Sequence, residues 1–360
     1  MMDDAFWQGK RVFVTGHTGF VGTWLSLWLH RLGAAVIGYS DDLPTVPSMY
    51  RLCGLEHTMT WLRGDIRDVD KLTAALRAAK PDIVFHLAGQ SERSGIQPTV
   101  EAISVNVVGT ASLLEAVRVV SREHPIRAVV ASTAADCYAP REPVSLCGGE
   151  PGSAGKAGAE LVVSAFRRAY FAAGTDEGPA VATVRAGHLI GGGDFGAGRL
   201  VPDCVRAAAE SHAAQLPAAW PGGFRPWLHV LDALAGCLAL AQRLFPPGGG
   251  DFAEAWNFGP RAGDARTAAW LAEAVCARLG CQPLVLAAAG AHQSGGAAAT
   301  GQPDAQPALL DPTKAVLRLG WHQRWDAAQS AQHAADWYAA WMKGAPMRDV
   351  TVSQIAEFEK

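Results

Sequence analysis

Arg11-Val12-Phe13-Val14-Thr15-Gly16-His17-Thr18-Gly19-Phe20-Val21-Gly22 is the stretch that decides the fold. A short β-favouring run, Val12 to Val14, feeds a loop with glycines at 16, 19 and 22. Helical apolar spacing follows at once, through Trp24, Leu25, Leu27, Trp28, Leu29 and Leu32. The order is strand, phosphate-binding turn, helix N-terminus. Gly16 allows the tight turn, Gly19 lets backbone amides approach a pyrophosphate, and Gly22 lets the helix pack close to the strand. The partial positive charge at the helix start favours the anion. A glycine trio alone is weak evidence, since it also fits a βα turn with no ligand; the flanking strand and helix strengthen it.

The next apolar run, residues 35–39, reads as a second buried strand and ends at Ser40-Asp41-Asp42, 19 to 20 residues past Gly22. An acid at that distance accepts hydrogen bonds from the adenosine ribose and repels a 2′-phosphate, which favours NAD over NADP. A solvated loop acid is the plain alternative. Further on, residues 59–62, 83–87, 128–132 and 181–185 read as strands, with helices over 68–79, 101–120 and 156–173 between them. Residues 43–54 and 148–155 read as loops. Such alternation predicts an α/β fold, a Rossmann-like doubly wound parallel sheet. The expected division is a dinucleotide domain over 1–186, rejoined by segments around 225–260, and a smaller C-terminal substrate lobe over 187–360. Residues 287–308, rich in Ala, Gly, Gln and Ser, read as a mobile loop. Trp337 and Trp341, four apart on one helix, read as core packing.

The totals exclude several classes of function. A length of 360 residues, 49% apolar and 18% charged, suits a soluble globular chain able to bury a large core. A net charge of −3 gives no pull toward nucleic acid or an anionic membrane. The acidic start is not that of a signal peptide, and no run of eighteen apolar residues occurs, so a cytoplasmic protein is expected. Seven scattered cysteines without a CxxC pair read as free thiols, and no metal site is expected.

Gly16-His-Thr-Gly19-Phe-Val-Gly22, Gly64-Asp65-Ile66, His86-Leu-Ala88, Asn106-Val-Val-Gly109-Thr110 and Lys156 together resemble an extended short-chain dehydrogenase/reductase of the NAD-dependent epimerase/dehydratase kind. Arg199-Leu-Val-Pro202-Asp203, Arg225-Pro226-Trp227-Leu-His229, Ala255-Trp256-Asn257-Phe258-Gly259 and Leu319-Gly320-Trp321 are similar, more narrowly, to CDP-glucose 4,6-dehydratases. The resemblance implies NAD held by Gly16, His17, Thr18, Gly19, Phe20, Val21, Gly22, Asp41, Asp65, Ile66, Leu87, Ala88, Gln90, Asn106 and Lys156. It implies a nucleotide sugar held by Arg199, Leu200, Arg225, Trp227 and His229, the two arginines facing the diphosphate. It also implies a homodimer through the helices 101–120 and 156–173.

The reaction of that family uses a Tyr four residues before the Lys, a Ser or Thr ending the fifth strand, and an acid beside it. Here Gly152 stands at the Tyr position, Ala134 at the hydroxyl and Ala135 at the acid. The remaining candidates for proton work are Lys156, Asp136, Tyr138, Thr133 and His188, the last standing where the family has Asn. Three readings stay open: altered chemistry on a nucleotide sugar, a catalytically silent binding homologue or partner subunit, and a slow 4,6-dehydratase.

Overall fold

The computed structural model describes residues 3–90, 99–134, 151–171, 178–210, 224–281 and 310–360. Uninterrupted apolar runs such as Ile83-Val84-Phe85 are buried on both faces, as the strands of a sheet covered by helices must be. The chain runs β1 (Arg11–Thr15), α1 (Phe20–Arg31), β2 (Ala35–Ser40), α2 (Met49–Leu52), β3 (Thr60–Arg63), α3 (Val69–Ala79) and β4 (Ile83–His86). It continues through α4 (Thr99–Ile103), α5 (Gly109–Val120), β5 (Ala128–Ala134), α6 (Pro151–Tyr170), β6 (Ala180–Ala186), β7 (His188–Ile190), α7 (Leu200–Ala209), β8 (Phe224–Arg225) and β9 (Trp227–His229). It closes with α8 (Val230–Leu244), β10 (Ala255–Phe258), β11 (Arg266–Thr267), α9 (Ala268–Leu279), α10 (Thr313–Leu319), α11 (Ala327–Met342) and α12 (Met347–Glu359).

Seven strands form one sheet in the order β10-β6-β5-β4-β1-β2-β3, every neighbouring pair parallel. The order reverses beside β1, where β2 and β4 flank it, and a crevice opens at that switch point. Strand alternation divides the interior. Val12 and Val14 face a layer holding Trp24, Trp28 and Leu234, while Phe13 faces one holding Leu72, Leu113 and Val117. Residues 255–258, far along the chain, return to the sheet beside β6. The small sheets β7-β9 and β8-β11 lie outside it.

Three local readings are corrected and one unread element is added. The helix carrying Lys156 begins at Pro151, so Gly152 to Gly155 are helical rather than loop; a proline at the first helical position suits a helix start. The helix expected over 101–120 is broken by a π-helical segment, Ser104–Val108, around Asn106. Within the expected loop 43–54 a single helical turn, α2, buries Met49 and Tyr50. Finally, α12 buries Met347, Thr351, Ile355 and Phe358 on one face, a spacing whose weak apolar content hid it in the sequence.

Val100–Val120 is long and apolar enough to cross a membrane, yet it packs on α3 and α6 and buries Leu113, Leu114 and Val117. Trp337 is fully buried, donating to Thr351 Oγ1 at 2.9 Å, and the Trp341 ring lies 5.1 Å from that of Phe195, so both pack in the core. The expected loop 287–308 lies outside the described residues.

Candidate active site

The loop between β1 and α1 is built as its glycines require. Gly16 has φ +72°, and a Cβ there would stand 2.7 Å from the Ala88 backbone nitrogen. A Cβ on Gly22 would stand 2.7 Å from His17 Cα and run into the Gly16 carbonyl. The loop therefore presses against the exit of β4 and against its own helix, leaving backbone to face the crevice.

A cavity of about 460 Å³ opens there. Of the residues expected to hold NAD, Gly16, Thr18, Gly19, Phe20, Val21, Gly22, Asp41, Asp65, Ile66, Leu87, Ala88 and Gln90 line it. This cradle fits a dinucleotide: glycines where side chains would block a pyrophosphate, a helix N-terminus behind them, and an exposed carboxylate, Asp41, at the ribose edge. The Arg67 guanidinium beside Asp65 (Nε at 2.9 and 3.0 Å) holds that carboxyl below the usual carboxylate range.

Three further residues expected to hold NAD are not among those lining this cavity. The His17 ring turns away from the cavity into Tyr50 and Trp61, with centroids 5.2 and 5.6 Å away. Burial pushes it down to about 4, so it is neutral, and only Gly38 on β2 leaves room for it. Asn106 brackets Gln90, accepting from its nitrogen at 2.9 Å and donating to its carbonyl at 2.8 Å. Lys156 belongs to the neighbouring cavity, its ammonium lying over Gly89.

A buried chain of hydrogen bonds ties these parts together. The Ala88 N–H donates to Thr15 Oγ1 (3.2 Å) and Thr15 to His86 Nδ1 (2.8 Å). His86 Nε2 donates to Thr110 Oγ1 (2.9 Å), and Thr110 to the Asn106 carbonyl (2.6 Å). The Thr110 bond to a carbonyl spends its only proton, which fixes this direction and places the histidine proton on Nε2. Burial, helped by the Lys156 charge, drives His86 down to about 3 and keeps it neutral.

The second cavity, about 340 Å³, shares Phe20, Val21, Asp194 and Arg199 with the first. Lys156, His188, Leu200, Trp227, Ser132 and Thr133 also line it. Arg199 pairs with the nearly buried Asp194 at 2.7 Å. Asp194 sits on a turn fastened by the Trp24 indole donating to the Gly192 carbonyl at 2.9 Å and by the Tyr338 hydroxyl donating to the Asp194 carbonyl. In the sequence Asp194 only follows three glycines, 191–193. Its partner is 144 positions away, which no local pattern reports. Arg225 stands behind His188, Nη1 to Nε2 at 3.4 Å; a guanidinium only donates, so that ring nitrogen accepts.

Two expected residues are tied into the framework, Thr133 while also lining the second cavity. The Thr133 hydroxyl donates to Glu160 Oε2 (3.0 Å) and lies 3.2 Å from the Val184 carbonyl, inside a buried cluster with the Glu160–Arg185 ion pair. It is engaged in the framework, whereas Ser132 lies on the opposite face of β5. His229 is fully buried; its Nδ1 caps α8 by accepting from the Leu231 N–H at 3.2 Å, and its ring packs on Trp24 and Trp325. Helix capping and core packing account for it. Asp136 and Tyr138 lie outside the described residues.

A family model described as the NAD dependent epimerase/dehydratase family matches residues 12–253. The chain is 41% identical to the CDP-glucose 4,6-dehydratase of Salmonella typhimurium over 99% of its own length and 98% of the relative's. Among solved structures, a double mutant of the dTDP-glucose 4,6-dehydratase of Streptomyces venezuelae superposes with a TM-score of 0.72 at 21% identity, covering 94% of this chain and 99% of that one. The dTDP-glucose 4,6-dehydratase of Bacillus anthracis, solved with NAD, gives 0.71 at 19% identity, covering 93% and 99%. At such identities these structural likenesses speak for the fold.

Proposed function

The chain belongs to the NAD dependent epimerase/dehydratase family, and from that premise we propose that it binds NAD in the larger cavity and a CDP-sugar in the smaller one, and alters the sugar by a route other than the tyrosine-initiated 4,6-dehydration of its relatives. The observation that supports this reading is the junction of the two cavities at Phe20, Val21, Asp194 and Arg199, across which a ligand in one would adjoin a ligand in the other. The CDP assignment rests on the full-length identity to the Salmonella typhimurium enzyme.

Bound NAD would supply a hydride acceptor. The chain's own residues do the rest. The β1–α1 loop and the N-terminus of α1 hold the pyrophosphate, and Asp41 accepts from the ribose hydroxyls. Arg199 and Arg225, one at the cavity wall and one behind His188, suit the sugar-nucleotide diphosphate, for which a forked guanidinium is fitted. The Lys156 ammonium donates to a sugar oxygen and stabilises negative charge developing on it. His188 is the titratable ring at that wall, and in sequence Asp136 and Tyr138 complete the set of proton-carrying candidates.

The group that Lys156 activates in the relatives is the tyrosine whose position Gly152 takes here. Ala134 and Ala135 stand for the hydroxyl and the acid. General-base catalysis alone is worth about 10²–10⁴-fold, so three such losses around one reacting carbon remove the standard route. Continued substrate handling is favoured over silent binding because Lys156 and Arg199 line the cavity and Arg225 backs its His188.

Calorimetric titration of the NAD-loaded protein with CDP-glucose tests the binding half of this reading. Saturable binding is expected, weakened about tenfold or more by Arg199→Ala or Arg225→Ala, as befits loss of a charge-assisted contact. No heat with CDP-glucose, or unchanged affinity in both variants, would refute it.

A further inference from the structure

Outside both cavities, three thiols converge where α7 packs on α9. Of the five cysteines among the described residues, Cys204 lies on α7, Cys276 in the last turn of α9, and Cys281 just beyond that helix. None of the three lines either cavity. The helix end brings two of them together. Gly280 takes a left-handed φ of +74°, the chain turns back, and the Cys281 N–H donates to the Cys276 carbonyl at 3.1 Å. A helix end closed in this way sets the residues on either side of the turn against each other, where an apolar contact is usual. Here the contact is between thiols. The Cys281 thiol donates to the same carbonyl at 3.8 Å, and the Cys276 thiol is in hydrogen-bonding contact with Cys281 on one side and Cys204 on the other. Cys204 and Cys276 are fully buried, whereas Cys281 is partly exposed.

We propose that Cys276 and Cys281 form a reversible dithiol–disulfide site at the end of α9, oxidised by small-molecule disulfides. Bridging needs Cα atoms within about 7 Å, which the backbone hydrogen bond between the two residues secures. The exposed sulfur reacts first. Cys281, as its thiolate, attacks one sulfur of the oxidant; the oxidant's S–S bond breaks, a mixed disulfide forms and a first thiol leaves. Cys276 then gives up its proton and attacks the Cys281 sulfur, which makes the Cys276–Cys281 bond and expels a second thiol. Two protein thiols are oxidised and one oxidant disulfide is reduced, taking up two electrons and two protons. Cys204, without access to solvent, stays a thiol. The same surroundings set the pace. Burial and the neighbouring Cys276 push Cys281 up to about 12, and contact with Cys204, then burial, pushes Cys276 up. Little thiolate is present at neutral pH, so the site responds slowly, to a sustained change in thiol–disulfide balance, and its rate climbs with pH. The inference is independent of the ligands proposed above.

The test exposes the reduced full-length protein, without denaturant, to glutathione disulfide at about pH 7 and about pH 9, followed by acid quenching, alkylation and peptide mass mapping. A Cys276–Cys281 link is expected, reversed by dithiothreitol and formed at least about tenfold faster at the higher pH. Cys276→Ala should stop at the mixed disulfide on Cys281, Cys281→Ser should leave Cys276 unmodified, and Cys204→Ala should still form the link. The wild-type map needs no variant, so a substitution that fails to fold leaves the test standing. No link in the wild type, a link that appears only in denaturant, a bond joining Cys204 to Cys276, or a rate that does not rise with pH overturns the inference.

Discussion

At Gly16 three requirements meet: a left-handed φ, a close approach to Ala88 and an open path to the crevice. A Gly16→Ala change is expected to cost about 1–3 kcal/mol in stability through strain and overpacking, and to weaken NAD binding at least about tenfold. Chemical denaturation and dinucleotide titration check the two parts. The glycine roles were legible because spacing alone encodes them. His17 was not, since the feature that admits its ring is a glycine in the middle of another strand, Gly38. His86 and His17 are both held neutral by burial, at about 3 and about 4 against an unfolded value of 6.5. A depressed folded value means the unfolded chain binds more protons, so their contribution is complete above pH 6.5 and is lost as pH falls toward 4 and then 3. Melting temperatures over that window should fall less steeply in His86→Gln than in the wild type; an identical slope would remove His86 from the account.

Among the elements, the end of β5 is where sequence reasoning had least to work with. The Thr133 hydroxyl, at the wall of the second cavity, is bonded to Glu160, 27 residues on and one helical turn beyond Lys156, which no local pattern reports. Thr133→Val is expected to lower stability by about 1–2 kcal/mol, the usual effect of stranding a buried hydrogen-bond partner. CDP-glucose affinity should stay unchanged, which calorimetry would check. The strands were legible because continuous apolar runs of that length have few other structures open to them. The π segment was not, because Val105, Val108, Leu113 and Val117 keep a helical apolar rhythm through it. At its centre Asn106 pairs with Gln90 sixteen residues earlier, a tertiary contact outside any local pattern.

Over the whole molecule, the cavities open at the carboxyl ends of the central strands, and several large apolar side chains are exposed on the helix layer. Val100, Ile103, Val108, Leu161 and Tyr170, between 38% and 78% exposed, lie on the helices spanning 99–120 and on α6. Scattered apolar residues need no explanation, but their clustering on adjoining helices suits the second copy of the chain that the family resemblance implies. Leu161→Glu should therefore convert a dimer to a monomer in light scattering; a monomeric wild type would contradict the dimer expected from the family. The proposed function gives the two adjoining cavities to two ligands and takes Gly152, Ala134 and Ala135 to stand at the positions that start the usual reaction. The direct test is formation of the 4-keto-6-deoxy sugar from CDP-glucose with NAD present, comparing the wild type with Ala134→Ser/Ala135→Asp/Gly152→Tyr. No 4-keto-6-deoxy product from the wild type and a measurable rate from the triple variant are predicted. Rapid wild-type turnover to that product would contradict the account.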